Sequence, residues 1–222
     1  MVVGLSAAMS GCGTSPAETT GQASTARPAR AAAPANTTPP SLTLPTAVGA
    51  ANSPSGLAAF VEVTNPSTTA AANAVTVTVT ANVANGAPPT QASTQINAIF
   101  PGETVAVVVL LHPPPSMNVT SVAANVDTTT FTPSSPVTNS HTVSAVTFTN
   151  DATQPYASAT LGNTLSTTLN ADLVVVCTNT SGAIVGGGEV APVVAPGAQE
   201  TVHVPVFVGA TPAGCRGYVR GR

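Results

Sequence analysis

Three cysteines, three histidines and eight acids carry most of the reactive chemistry of this chain. Their spacing organises little of it. His112 stands before a triple proline, His141 at the edge of a Thr/Ser/Pro segment and His203 inside an expected strand, and none has a carboxylate or cysteine at ligand-like spacing. His112 with Met117 is the one imidazole and thioether pair that a copper ion could use, and an exposed proline-rich turn explains both residues more simply. Glu62, Glu103, Asp127, Asp151, Asp172, Glu189 and Glu200 fall singly at turns or strand ends. Solvated charges fit that scatter better than a paired general acid and base. Serine is abundant but sits in no nucleophile-elbow pattern, so any apparent Ser, His and Asp triad is cheap. The inventory predicts no enzyme, no bound metal and no cofactor.

The elements that would position these residues are strands. Val75, Val77, Val79, Ala81 and Val83 alternate with Thr76, Thr78, Thr80 and Asn82 up to the turn pair Asn85-Gly86, a period of two that makes one half-buried strand. Residues 170–182 echo it, with Leu173 to Cys177 apolar on both faces before Asn179 and the turn pair Ser181-Gly182. Around each copy the punctuation repeats. Gly86 precedes Pro101 by 15 residues and Gly182 precedes Pro196 by 14, and each Pro-Gly opens an apolar run, 104–111 or 201–208. The 104–111 run, apolar throughout, is expected at the centre of its sheet, and Pro205 places the second run at an edge or bulge. The first β unit is expected to open with a strand at 57–63, closed by the turn Asn65-Pro66-Ser67. Final strands at 119–126 and 216–219 correspond, and residues 141–150 supply an extra first strand to the second unit.

Composition bounds the partners. The 222 residues are 43% hydrophobic but only 6% charged and 3% aromatic, with a formal charge of -3. The basic residues are Arg27, Arg30, Arg216, Arg220 and Arg222, with no lysine. Too little positive charge is gathered anywhere to neutralise a phosphate backbone, so no nucleic acid is expected. Scarce aromatics also argue against base or sugar stacking. Arg-only, Ala/Thr/Pro-rich usage is that of a GC-rich genome of the actinobacterial type.

Val2, Val3, Leu5, Ala7, Ala8 and Met9 form a short apolar run ahead of Ser10-Gly11-Cys12, which resembles the lipobox of bacterial lipoproteins. That resemblance implies a diacylglyceryl group on the Cys12 sulfur and cleavage just before it. No Lys or Arg precedes the run, which puts the expected true start upstream. The Thr, Ala, Ser and Pro of residues 13–46 lack the periodicity to bury a face and read as a solvated tether, which would hold a folded body off a membrane. With Cys12 assigned to a lipid, Cys177 and Cys215 are left as an even pair in an exported chain, so a disulfide between two distant strands of the second unit is expected, a reactive or metal-binding thiol pair being the alternative. Closing that loop stabilises by about 4 kcal/mol in the chain-entropy model. Near Ala81 and Ala123 the first unit has small residues instead.

The stretch Val175-Val176-Cys177-Thr178-Asn179-Thr180-Ser181-Gly182-Ala183-Ile184-Val185-Gly186-Gly187-Gly188, followed by Ala195-Pro196-Gly197, resembles the FxLYD-type immunoglobulin-like domain of bacterial lipoproteins. The resemblance implies a small antiparallel sandwich that brings no catalytic residues. The expected organisation is all-β: a signal and lipobox at 1–12, a disordered tether at 13–46, two tandem antiparallel immunoglobulin-like β-sandwiches at 47–127 and 140–222, and a linker at 128–139. The expected function is non-catalytic, a lipid-anchored protein outside the cytoplasm that presents sandwich modules to an envelope partner. An extracytoplasmic metal or small-ligand carrier ranks second and a secreted hydrolase third.

Overall fold

Short side chains, many branched at Cβ and spaced two apart, make strands through most of the described residues. The computed structural model describes residues 44, 46–84, 87–114, 118–127, 130–136 and 141–221. Cys12, Met117, the Asn85-Gly86 turn and all of 13–46 except Leu44 and Thr46 lie outside them. The first half contains β1 (Thr46–Ser53), β2 (Gly56–Thr64), β3 (Ala70–Val83), β4 (Thr90–Ile99), β5 (Thr104–Leu111), β6 (Val119–Asp127) and β7 (Thr130–Pro133). The second contains β8 (His141–Val143), β9 (Thr147–Thr149), β10 (Tyr156–Asn163), β11 (Leu169–Thr178), β12 (Ile184–Val190), β13 (Val193–Val194), β14 (Gln199–Pro205), β15 (Phe207–Val208) and β16 (Gly214–Gly221). The fold is all-β, and its strand pairings are antiparallel.

Four sheets result. Sheet I runs β1-β2-β5; sheet II runs β4-β3-β6 with β7 also on β3; sheet III runs β13-β11-β12-β15 with β16 on β11; sheet IV runs β14-β10-β8 with β9 on β10. The halves repeat one plan: β2 with β5 corresponds to β10 with β14, and β3 between β4 and β6 corresponds to β11 between β12 and β16. Each half also contains the same buried lock. Asn65, fully buried after β2, donates through Nδ2 to the carbonyls of Ala70 (2.9 Å) and Ile99 (2.8 Å), while its Oδ1 accepts from the Ser67 N–H at 3.0 Å. Asn163, at the end of β10, donates to the carbonyls of Thr167 and Val194 and accepts from the Leu165 N–H. The two asparagine N–H groups donate to equivalent places, the carbonyls of Glu103 and Ala198. Those residues close the Pro-Gly turns, in which Gly102 (φ 72°) and Gly197 (φ 66°) take the left-handed backbone that a side chain resists.

Each half packs its two sheets face to face. Leu57, Ala59, Val61 and Val63 of β2 meet Val75, Val77, Val79 and Ala81 of β3 in the first core. Leu173, Val175 and Cys177 of β11 meet Ala157, Ala159 and Leu161 of β10 in the second. A third core joins the halves: Ala58 and Phe60, on the other face of β2, pack with Val174 and Val176, on the other face of β11. The sheets therefore stack in the order II, I, III, IV, and every described residue belongs to one compact unit, Pro39–Arg222. This explains why residues 173–177 are apolar on both faces. Contact across the joint is close because glycine lines it: a Cβ on Gly187 would lie 2.8 Å from Phe60 Cδ1, and one on Gly49 would collide with the Ile184 backbone.

Several expectations shift. β5 is an edge strand of sheet I, not its centre; its second face is apolar because Ala106 and Val108 enter the third core. β14 is the edge that Pro205 demands. Residues 141–150 supply two short strands, β8 and β9, both on β10. β1 precedes the strand at which the first unit was expected to open, and Thr130–Pro133, read as linker, pairs with β3 as β7. Ala74, a non-glycine residue with φ 50°, breaks the alternation of β3 without shifting its register against β4, so that Ala72 and Val75 both face the core, as do Ile99 and Ile96 opposite them.

Asn65→Ala strands two carbonyls and one N–H in a dry corner, and a loss of about 2–3 kcal/mol is expected. Asn65→Asp is expected to fail as well, because a carboxylate cannot donate to Ala70 and Ile99; denaturant midpoints at constant slope measure both. Gly187→Ala, whose Cβ would collide with the backbone carbonyl of Val175 and press on the Phe60 ring, is expected to cost about 3 kcal/mol in the same assay.

Candidate functional site

The polar groups that come together in this structure do so where the halves meet. Alternation puts Glu62 on the face of β2 that carries Ala58 and Phe60, so its carboxylate turns toward sheet III and is only 9% exposed. Arg216 and Tyr218, two residues apart on β16, both reach it. Arg216 Nη2 donates to the two carboxylate oxygens at 3.2 Å each and the Tyr218 hydroxyl donates to Oε1 at 2.5 Å. The Arg216 side chain is 61% exposed, so water screens the ion pair and the phenol supplies the better sheltered contact. Burial first, and the Glu62 carboxylate second, push the Tyr218 hydroxyl far above the ordinary phenol range, with Arg216 opposing weakly.

Beside this cluster opens a cleft of about 610 Å³, lined by Pro101, Glu103 and Thr104 from the first half and by His141, Val143 and Tyr218 from the second. Burial raises the Glu103 pKa, partly offset by the Phe100 N–H, which donates to Glu103 Oε2 at 2.7 Å. Burial also lowers the His141 pKa, so its imidazole is neutral at pH 7. The cleft thus offers a carboxylate and a neutral imidazole to whatever enters it.

The residues singled out from sequence are dispersed. Cys177 and Cys215 form a disulfide. Far apart in sequence, they are directly opposite neighbours on β11 and β16, with Cα atoms 4.0 Å apart, on the face that holds Leu173 and Val175. In the first half the residue opposite Ala81 is Val122, not Ala123. His112 is exposed just past β5. Asp172 pairs with Arg220 at 3.3 Å, and Asp151 accepts from the N–H groups of Thr153 and Gln154, which lowers its pKa. His203 Nδ1 lies 3.0 Å from Ser158 Oγ, its directly opposite partner on sheet IV, with the Tyr156 ring edge-on at 5.2 Å. That is a Ser and His pair within hydrogen-bond reach, on an exposed sheet face. Among the described residues no three His, Cys, Asp or Glu side chains cluster as metal ligands.

Sequence reasoning missed Asn65 and Asn163 as a matched pair, and it missed the trio Glu62, Arg216 and Tyr218. The first had a signal: an asparagine closing an apolar strand, with a Pro-Gly downstream, twice. The second had only one charge inside the apolar run 57–63.

The proton on Tyr218 gives the joint a pH dependence. Because the folded pKa lies above the unfolded value, the folded state keeps a proton that the unfolded state gives up, and stability is full below about pH 10 and falls as pH rises beyond it. Tyr218→Phe is expected to lower stability at pH 8 and to flatten the alkaline fall, read as chemical-denaturation midpoints between pH 8 and 11. No family model matches the chain, and no curated protein matches it.

Proposed function

We propose that this is a non-catalytic, lipid-anchored protein of the cell envelope that carries two immunoglobulin-like sandwiches, FxLYD-like in type, on a Thr/Ala/Pro-rich tether. The observation that carries this reading is that the polar side chains most deeply enclosed by the fold are used in structure. Glu62, Arg216 and Tyr218 join the halves, Asn65 and Asn163 lock corners, and Cys177 is bonded to Cys215. A disulfide supports an oxidising compartment outside the cytoplasm. The lipobox-like Met9-Ser10-Gly11-Cys12 supports a lipid on Cys12, and the Thr/Ala/Pro-rich residues that follow support a tether. The membrane, through the acyl chains, and an envelope protein are the partners of this reading. The cleft at Glu103 and His141 favours a second one, an extracytoplasmic carrier of a small polar ligand or metal.

The test compares the chain with its Cys12→Ala form in the source cells. The parent is expected in the detergent phase of a temperature-induced phase separation, with its mature N-terminal peptide heavier by the mass of the acyl chains. The Cys12→Ala chain is expected in the aqueous phase, unprocessed at that bond. Equal partition of the two forms, with unchanged processed size, overturns the anchor.

A further inference from the structure

We propose that the end of the body at which the tether enters docks on the bilayer, with Leu165 and Val193 dipping into the interface between lipid headgroups and acyl chains. This deepens the reading of Cys12 as a lipid anchor by giving the anchored body an orientation. The chain enters the fold at a fixed place: Leu44 is buried in the first core, and Thr46 opens β1 opposite Val63, two residues before Asn65. The same end of the stack holds both asparagine corners. Glu103, whose carbonyl accepts from the Asn65 N–H, lines one cleft with His141, and His141 is the residue directly opposite Asn163.

That end is also where apolar side chains are left uncovered. Among the described residues the large apolar side chains that stay exposed are Leu110, Leu165 and Val193. Leu110, opposite Ala58 on β2, lies toward the other end. Leu165 and Val193, 38% and 59% exposed, lie together, because one buried amide holds both segments: Asn163 Oδ1 accepts from the Leu165 N–H at 2.9 Å, and its Nδ2 donates to the carbonyl of Val194 at 3.0 Å. The lock itself does not require apolar residues there. In the first half Asn65 makes the same two bonds, to the Ser67 N–H and the Ile99 carbonyl, so Ser67 and Ala98 stand where the second half has Leu165 and Val193.

A lipid surface is the partner that the chain itself brings to this end. Residues 13–45 can span at most about 110 Å between Cys12 and Thr46, so an anchored body stays within that reach of the membrane. A contact too weak to hold a free protein is populated once the tether makes it intramolecular, and two adjacent apolar side chains need only enter the boundary between headgroups and acyl chains. The charges nearby suit a zwitterionic surface. Arg220 is paired with Asp172, and the exposed acids toward this end, Glu189 and Glu200, oppose an anionic one.

The chain contains no tryptophan, so Leu165→Trp, Val193→Trp and Thr180→Trp each place a single fluorescent reporter, the last in the exposed turn after β11. Thr180 lies about 30 Å along that strand from Leu169, toward the opposite end. Each full-length variant is coupled through Cys12, the one thiol that the disulfide leaves free, to phosphatidylcholine vesicles containing a small share of maleimide-headgroup lipid. The coupling supplies the anchor whether or not cells acylate Cys12, so a failure here is separate from a failure of the Cys12→Ala comparison. Lipids brominated high on the acyl chain are expected to quench Leu165→Trp and Val193→Trp by about half and Thr180→Trp by about a tenth or less. Val193→Asp added to Leu165→Trp is expected to abolish the quenching with the thermal midpoint unchanged. Equal quenching of all three reporters, absence of quenching at either 165 or 193, or quenching that Val193→Asp leaves intact, overturns the proposal.

Discussion

The packing of sheet I on sheet III is the constraint from which the rest of this structure follows. An antiparallel sheet ordinarily buries one face and gives the other to water, which yields a clean apolar and polar alternation. Sheets II and IV follow that rule and sheets I and III break it. Phe60, fully buried, lies between them with Ala58, Val174 and Val176, and removing a side chain of that size from water contributes about 1.5–3 kcal/mol. Two sheets approach this closely only if one surface is shaved down, and the run Gly186-Gly187-Gly188 does that. Gly187 admits the Phe60 ring from one side, while Gly186 and Gly188 admit the backbone of Phe207 and Pro205 from the other. The glycines lower strand propensity, so they are tolerable only where packing on both faces holds β12 in place.

A chain with so few charges must satisfy its buried polar groups with short amides and backbone. Asn65 and Asn163 do this at the two corners where the chain passes from one sheet of a pair to the other. Each is the residue type that can donate twice and accept once in a single dry pocket. Among the described residues no buried side-chain polar atom lacks a hydrogen-bond partner. Glu62, whose carboxylate faces the joint, is answered by a guanidinium and a phenol from the opposite half, so this charge in the stack also fixes how the halves register.

How much of this was legible in the sequence depended on whether the signal was local. The period of two at 75–83, the Pro-Gly turns and the edge position of β14 were readable because alternation, φ and a missing N–H are properties of a few adjacent residues. The duplicated plan was readable for the same reason. What was not readable was partnership at a distance. The apolar run of β5 looked central because two buried faces usually mean neighbours on both sides, whereas here the second face is covered by the other half. The cysteines could be paired by elimination, but that they face each other across neighbouring strands needs the register of β11 and β16. The cleft was invisible for a related reason: Glu103 and His141 come from different halves, and each looks like an isolated turn or strand-end residue until the stack brings them together.

The duplication has a consequence for assembly. Sheet I corresponds to sheet IV and sheet II to sheet III, so the joint sets two different kinds of surface against each other. Contacts of that heterologous kind do not close; repeated, they build an open stack. In this chain the stack stops after one joint because the outer faces have been made polar. Where β11 presents Val174 and Val176 to the joint, β3 presents Thr76, Thr78 and Thr80 outward. Where β2 presents Ala58 and Phe60, β10 presents Ser158 and Thr160, with Thr201 and His203 beside them on β14. These outward hydroxyls, amides and a single imidazole bond one another across the strands and need no apolar cover. The same alternation that builds each core therefore also decides, by the identity of the outward residue alone, which of four similar faces is buried and which two end the molecule.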